Sequence, residues 1–140
     1  MPVGYSGTPL IKKLGIGPGA KVAVFGKPAD YAELLGELPE GAGLGVKIDK
    51  ATTLVHLFVT ERESLLEKLK TFRAKLGEAV PVWVSWPKKS AKVPTDITED
   101  TIREVALPLG YVDIKVCAVS EVWSGLKLVV RKELRSKSAA

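Results

Sequence analysis

The sequence predicts an α/β domain of three layers, in which helices cover both faces of a mostly parallel sheet of about six strands. Two patterns predict it: short, continuous apolar runs typical of strands buried on both faces, and amphipathic helical segments that alternate with them. With 140 residues, 46% of them apolar, the chain can build a core without a disulfide or a metal. We expect one domain over residues 1–132 and a basic, disordered tail over residues 133–140.

The first half of the chain supplies the opening helix and the first strands. Thr8 and Pro9 are typical of a helix start, and Gly15 of its end. A buried strand follows over residues 21–26, then a short helix within 29–38 that Gly36 interrupts. Residues 44–48 form a weaker strand that ends at Asp49.

From residue 54 onwards, the sequence patterns that predict strands and helices are stronger. Residues 54–59 are apolar on both faces, and Thr60 with Glu63 forms the pattern of a capping box that starts a helix, which Gly77 ends in the left-handed conformation. After a strand over residues 82–86, a helix is expected to begin at Thr95, Asp96 or Thr98. Strands 112–119 and 126–131 close the sheet as an antiparallel pair, joined by a turn at residues 121–125.

Charge and cysteine content narrow the function classes. The net charge is +5, but residues 131–137 contribute +3 of it, and no aromatic-plus-basic RNA-binding motif is present, which disfavours specific nucleic-acid binding. Cys117 is the only cysteine, which excludes internal disulfides and indicates a reducing compartment. Because neither a secretion signal nor a membrane span is recognisable, we expect a cytoplasmic protein.

The order of elements resembles the class I methyltransferase fold, a Rossmann-like architecture. More closely, the chain resembles a family of short bacterial proteins of unknown function, which implies no activity. The stretches that carry this resemblance are spread over nearly the whole chain: Gly4-Tyr-Ser-Gly-Thr-Pro-Leu10, His56-Leu-Phe-Val-Thr60, Trp83-Val-Ser-Trp-Pro-Lys-Lys89, Arg103-Glu-Val-Ala-Leu-Pro-Leu-Gly110 and Trp123-Ser-Gly-Leu-Lys127.

One departure from the methyltransferase pattern follows the first strand. Methyltransferases place a run of glycines there, so that the backbone can approach the cofactor, whereas this chain reads Phe25-Gly-Lys-Pro-Ala-Asp30. One glycine and a proline cannot play the same role. Asp49, at the expected end of the second strand, takes the position where the fold often places a ribose-binding acid. An acidic residue at the end of a strand is more often part of a solvated turn, which is the alternative for Asp49.

Ligands in open α/β sheets bind at the carboxyl ends of the parallel strands. Five segments are expected to meet at that edge: residues 26–30, 49–50, 60–62, 85–89 and the turn 121–125. The loop around Tyr5 and Ser6, which is rich in glycine, presents backbone amides suited to an anion if it folds over this edge.

Lys88 and Lys89 are the best candidates for binding an anion, with Trp86 as a stacking surface; a solvated lysine pair is the alternative. Trp123, an aromatic residue in an expected turn, is a further candidate for the crevice. Ser85, Ser124 and Lys127 complete the predicted ligand-binding set, which also includes Tyr5 and Ser6. Trp83 is assigned to the core, since it and Trp86 point to opposite faces of one strand.

Support for catalysis is thin. His56, the only histidine, lies in an apolar strand and is interpreted as a hydrogen-bonded core residue. No serine has a nucleophile-elbow pattern. Four acidic residues near the start of the fourth helix match its positive end without a metal: Asp96, Glu99, Asp100 and Glu104. No catalytic residue, metal or cofactor is therefore assigned.

Three functional hypotheses remain open. The preferred one is a non-catalytic binding or regulatory domain for an anionic small molecule or an acidic protein surface. The second is a minimal S-adenosylmethionine-dependent methyltransferase or nucleotide-binding enzyme, for which Asp49 is the cofactor candidate. The third is nucleic-acid binding through the basic tail.

Overall fold

Six strands form a single sheet in the computed structural model, which describes residues 8–135. The strands are β1 (Lys21–Phe25), β2 (Gly43–Gly45), β3 (Leu54–Phe58), β4 (Val82–Pro87), β5 (Tyr111–Ala118) and β6 (Trp123–Val130). Their order across the sheet is β2-β1-β3-β4-β6-β5. The first four pair in parallel, whereas β6 is antiparallel to both β4 and β5. The mostly parallel sheet with an antiparallel closing pair is confirmed.

Helices cover both faces of this sheet. They are α1 (Leu10–Leu14), α2 (Tyr31–Leu35), α3 (Arg62–Lys75) and α4 (Glu99–Ala106), with short 3-10 turns at Lys89–Ala91, Leu107–Leu109 and Lys132–Leu134. The side chains of β3 alternate between two cores: Val55 and Leu57 pack with α3 and α4, whereas Leu54 and Phe58 pack with α1 and α2. This alternation produces the three expected layers.

The start of α3 differs from the expected capping box. Its N-cap is Glu61, whose side chain makes no capping hydrogen bond. Instead, the amide of Arg62 donates to Oδ1 of Asp96 at 2.7 Å, a residue 34 positions away in the chain. The stop at a left-handed Gly77 is also wrong, because α3 ends at Lys75 and its C-cap, Leu76, has an extended conformation. The start of α3 is therefore capped by a residue that is distant in sequence, and not by a neighbouring side chain.

The segment between β2 and β3 also departs from expectation. Only Gly43–Gly45 is strand, so the predicted strand over residues 44–48 is three residues too long at its carboxyl end. Residues 46–53 return to the start of β3 without a helix. Asp49 consequently lies at the opposite edge of the sheet from the one predicted, beside Lys21 at the start of β1.

The closing pair turns at residues 119–122 rather than 121–125. Ser120 builds the turn: its hydroxyl accepts hydrogen bonds from the amides of Val122 and Trp123, both at 3.1 Å. Trp123 therefore belongs to β6, and a bulge at Ile114 interrupts the β5 register.

The two ends of the described chain carry a helix cap and a short 3-10 turn. Thr8 is not the cap of α1, because Pro9 takes that position. At the other end, residues 132–134 form a 3-10 turn. Within residues 8–135, no helix is long and apolar enough to cross a membrane.

Candidate functional site at the carboxyl edge of the sheet

The carboxyl ends of β1, β3 and β4 meet at one edge, where the turn of the closing pair joins them. This turn reaches the edge because β5 runs in the same direction as β4, with the antiparallel β6 between them. The amide of Lys88 donates to the carbonyl of Val122 at 2.7 Å and fastens the chain after β4 to that turn. Parallel strand ends of this kind form the ligand crevice in open α/β sheets.

Gly26 makes the turn that leaves β1. Its φ is +69°, and a Cβ at this position would lie 2.6 Å from the carbonyl oxygen of Phe58. Only glycine fits both the left-handed backbone and this approach to β3. Because Gly26 has no side chain, the carbonyl of Phe58 can approach its backbone closely. The close packing of β1 against β3 therefore requires this glycine.

Residues 88–92 form a basic loop at this edge. Lys88 is half-buried, whereas Lys89 and Lys92 are exposed. Lys92 adopts a left-handed conformation with a φ of 56°, and the amides of Ala91 and Lys92 donate to the carbonyls of Lys88 and Lys89. Within residues 8–135, none of the three lysines has a carboxylate within 4 Å. The loop presents three uncompensated positive charges on an ordered backbone.

The chain beyond the basic loop is anchored on the end of β3. The hydroxyl of Thr95 donates to the carbonyl of Thr60 at 2.6 Å, and the amide of Asp96 donates to the same carbonyl. Ile97 then enters the core. These contacts, together with the bond from Asp96 to α3, fix the position of the loop relative to the edge.

The aromatic and hydroxyl residues predicted to line the crevice have other surroundings. Trp86 is only 8% exposed and packs in the core beneath α3 and α4, so it offers no stacking surface. Trp83 is fully buried, as expected, and its Nε1 donates to the carbonyl of Leu14. Trp123 is half-buried with its ring against Phe58. Ser124 is half-buried opposite Trp86.

Ser85 belongs to a buried polar network. His56 Nε2 lies 2.7 Å from Ser85 Oγ, and His56 Nδ1 lies 2.8 Å from the hydroxyl of Tyr31. All three side chains are almost fully buried. Burial lowers the pKa of His56 to about 3 and raises the pKa of Tyr31, which keeps both neutral at physiological pH. The structure supports the interpretation of His56 as a hydrogen-bonded core residue, and the hydroxyl of Ser85 is not accessible to a ligand.

Two residues expected at the carboxyl edge lie at the amino edge instead. Asp49 forms an ion pair with Lys21 at 2.8 Å, and the hydrogen bond from Lys21 lowers the pKa of its carboxyl group. Lys127 pairs in register with Trp83, near the start of β4. Neither residue can act together with the basic loop, so the expectation for both positions is wrong. Tyr5 and Ser6 lie outside the described residues.

Asp30 and Lys92 lie at this edge but are not among the residues that the sequence predicts to bind a ligand, although Asp30 belongs to the segment 26–30 that is expected there. Asp30 is the N-cap of α2, yet its side chain makes no capping hydrogen bond, and it has no ion pair within residues 8–135. An aspartate shortly after a buried parallel strand was the available signal. For Lys92 the signal was its place in the same lysine-rich loop as Lys88 and Lys89.

The acidic residues near α4 are explained by ion pairs and capping. Arg103 pairs with Glu99, Asp100 and Asp113. The pKa of its guanidinium is raised, mainly by the hydrogen bond to Asp113. Within the part of the chain that the structure describes, no three His, Cys, Asp or Glu residues are grouped as metal ligands.

Three solved structures with a similar fold are methyltransferases. A S-adenosylmethionine-dependent methyltransferase from Aquifex aeolicus matches 87% of this chain and 88% of its own, with 13% identity and a TM-score of 0.63. The ribosomal protein L11 methylase from Lactobacillus delbrueckii subsp. bulgaricus matches 87% and 75%, with 15% identity and a TM-score of 0.53. The M1A22 tRNA methyltransferase from Bacillus subtilis matches 94% and 71%, with 14% identity and a TM-score of 0.53.

No protein-family model and no curated protein matches the sequence. At the identities found, the likeness to solved structures establishes the fold. This chain is a methyltransferase-like, Rossmann-like α/β domain, as its sequence predicts.

Proposed function

We propose that this chain binds S-adenosylmethionine, or a closely related adenosine derivative, at the carboxyl edge of its sheet. The fold is the observation that carries the proposal, since three similar structures are methyltransferases and one of them is named as dependent on S-adenosylmethionine. The edge in question is the one at which open α/β sheets bind ligands.

The side chains at this edge suit two parts of such a ligand, its ribose and its carboxylate. S-adenosylmethionine carries a carboxylate, an ammonium group, a sulfonium and two ribose hydroxyls. Asp30 offers an unpaired carboxylate after β1, and the basic loop offers ammonium groups after β4. Because β3 separates these two strands, the strand ends lie about 10 Å apart. Asp30 would accept hydrogen bonds from the ribose, and Lys88 and Lys89 would hold the carboxylate.

The bound molecule would supply an electrophilic methyl group. The chain itself contributes binding and orientation: Asp30 fixes the nucleoside end, and the basic loop fixes the amino-acid end. The backbone after β1 holds one glycine where methyltransferases have several, and Asp49 faces the other edge. We therefore expect binding to depend on side-chain charges more than on a backbone cradle.

Calorimetric titration of the full chain with S-adenosylmethionine tests this proposal. We expect saturable binding that Asp30→Ala weakens about tenfold, since a hydrogen bond to a charged group contributes about 1.5–3 kcal/mol. Lys88→Glu with Lys89→Glu weakens it further, whereas Lys115→Glu, on exposed β5, leaves it unchanged. No detectable heat at millimolar ligand would contradict the proposal.

A second candidate is non-catalytic binding of an anionic molecule or an acidic protein surface by the basic loop. The observation that favours it is that no carboxylate of residues 8–135 pairs with its three lysines, combined with a histidine that is buried and neutral. Titration with inorganic pyrophosphate separates the two candidates. Binding that is lost in the Lys88→Glu, Lys89→Glu variant but kept in Asp30→Ala, without binding of S-adenosylmethionine, supports this second candidate.

A further inference from the structure

A cavity of about 300 Å³ opens at the amino edge of the sheet, away from the basic loop. The loop between α1 and β1 forms one side of it, and the starts of β3 and β4 form the other. Its lining residues are Leu14, Gly15, Pro18, Gly19, Ala20, Thr53, Leu54, Pro81 and Lys127. This volume is at the lower end of the range for small-molecule sites.

The walls of this cavity are fixed by hydrogen bonds that do not involve a ligand. The indole Nε1 of Trp83 donates to the carbonyl of Leu14 at 2.9 Å and locks the end of α1 against the sheet. The amide of Gly19 donates to the carbonyl of Glu40, and the hydroxyl of Thr53 accepts from the amide of Lys21. A cavity with walls fixed in this way requires little ordering when a ligand binds.

Among the residues that the structure describes, 8–135, Lys127 is the single charged one that lines the cavity. It lies on β6, which β4 and β5 flank, and its ammonium nitrogen is 6.0 Å from the centre of the Trp83 ring. No carboxylate of residues 8–135 pairs with it, and Asp113, which lies opposite the next residue of β6, is already paired with Arg103. The cavity thus has one available positive charge on a rigid strand.

The rest of the lining decides the class of ligand. Pro18, Ala20 and Pro81 offer apolar surface at the cavity, which favours an apolar body over a highly charged one. Leu14 and Leu54 are buried behind this lining. A polyphosphate would meet one cation only. We propose that this cavity binds a small organic monocarboxylate, with the carboxylate at Lys127 and the apolar body against the side chains of Pro18 and Pro81.

Benzoate is a suitable probe, with neutral benzamide of the same shape as its control. Amide chemical shifts of the full chain, followed during titration, are expected to change saturably at Gly15, Gly19 and Thr53, with a dissociation constant of about 1–10 mM. Lys127→Met is expected to weaken benzoate binding about tenfold. Lys115→Met is the matched control, because Lys115 pairs with Lys127 in register but does not line the cavity.

Three results would overturn the proposal: no saturable change at those amides, equal affinity for benzamide, or equal loss of affinity in the Lys115→Met and Lys127→Met variants. The test is independent of the carboxyl edge. Failure here leaves the proposal for S-adenosylmethionine untouched, and the reverse also holds.

Discussion

At the scale of single residues, the network of Tyr31, His56 and Ser85 shows how the core tolerates polar groups. The imidazole has two nitrogens, and each has a hydroxyl partner within 2.8 Å. A neutral histidine donates from one nitrogen and accepts at the other, and both hydroxyls adapt to either tautomer. Each polar atom of the three side chains therefore has a hydrogen-bond partner within the network, which stabilises a buried position that is otherwise costly.

Replacing His56 with leucine is expected to destabilise the protein by about 2–5 kcal/mol, because two buried hydroxyls lose their partner. The triple variant His56→Leu, Tyr31→Phe, Ser85→Ala is expected to recover part of this loss, since the unsatisfied hydroxyls are gone. Urea unfolding measures both. A triple variant less stable than the single one would show that the network matters for packing alone.

The low pKa of His56 also predicts a pH dependence of stability. The folded pKa is about 3 and the unfolded value is about 6.5, so the unfolded state binds more protons between these values. Stability therefore falls as the pH is lowered from about 6.5 towards 3. Unfolding free energies from pH 7 to 4 measure the slope, and the His56→Leu variant should lose this contribution. An identical slope in that variant would refute the assignment.

At the scale of elements, the start of α3 depends on a distant residue. Asp96 accepts the hydrogen bond from the amide of Arg62 and places a carboxylate at the positive end of the helix. We expect Asp96→Ala to destabilise the protein by about 1 kcal/mol. Glu61→Ala is the matched control, because Glu61 is the N-cap but makes no side-chain capping bond. Equal losses in the two variants, measured by urea unfolding, would rule out the role of Asp96.

The elements that the sequence predicts best are those with a strong local pattern. The apolar runs of β1, β3 and β4 and the stripe Leu65, Leu69 and Phe72 specify buried faces directly. The cap of α3 and the position of Asp49 could not be predicted, because both follow from contacts between segments far apart in sequence. Residues 46–53 connect β2 to the start of β3 without a helix, and this places Asp49 at the amino edge of the sheet. No local sequence pattern indicates this connection.

The same distinction applies to the candidate site. Lys88 and Lys89 remain at the predicted edge because strand direction alone places them there. Trp86 and Ser85 were expected in the crevice, but β4 continues to Pro87 and buries both of them. Trp86 packs under α3 and α4, whereas Ser85 bonds His56 on the opposite face. The sequence therefore predicts the edge at which the basic loop lies, but it does not predict the residue at which β4 ends.

At the scale of the whole molecule, the sheet separates two candidate sites. Strands of about five or six residues span about 17–20 Å, which exceeds the Debye length of about 8 Å at physiological ionic strength. We expect Lys127→Met to leave the affinity for S-adenosylmethionine unchanged, and the Lys88→Glu, Lys89→Glu variant to leave benzoate binding unchanged. Calorimetry and amide shifts measure the two affinities. Mutual loss would show that the edges are coupled through the sheet.

The central claim is that the carboxyl edge of this methyltransferase-like sheet is a ligand site. Amide chemical shifts of the full chain during titration with S-adenosylmethionine test it most directly, because they report binding and its location together. We predict saturable changes at Gly26–Asp30, at Thr60 and along residues 88–92. Changes confined to the amino edge around Gly19 and Thr53, or none at millimolar ligand, would contradict the claim.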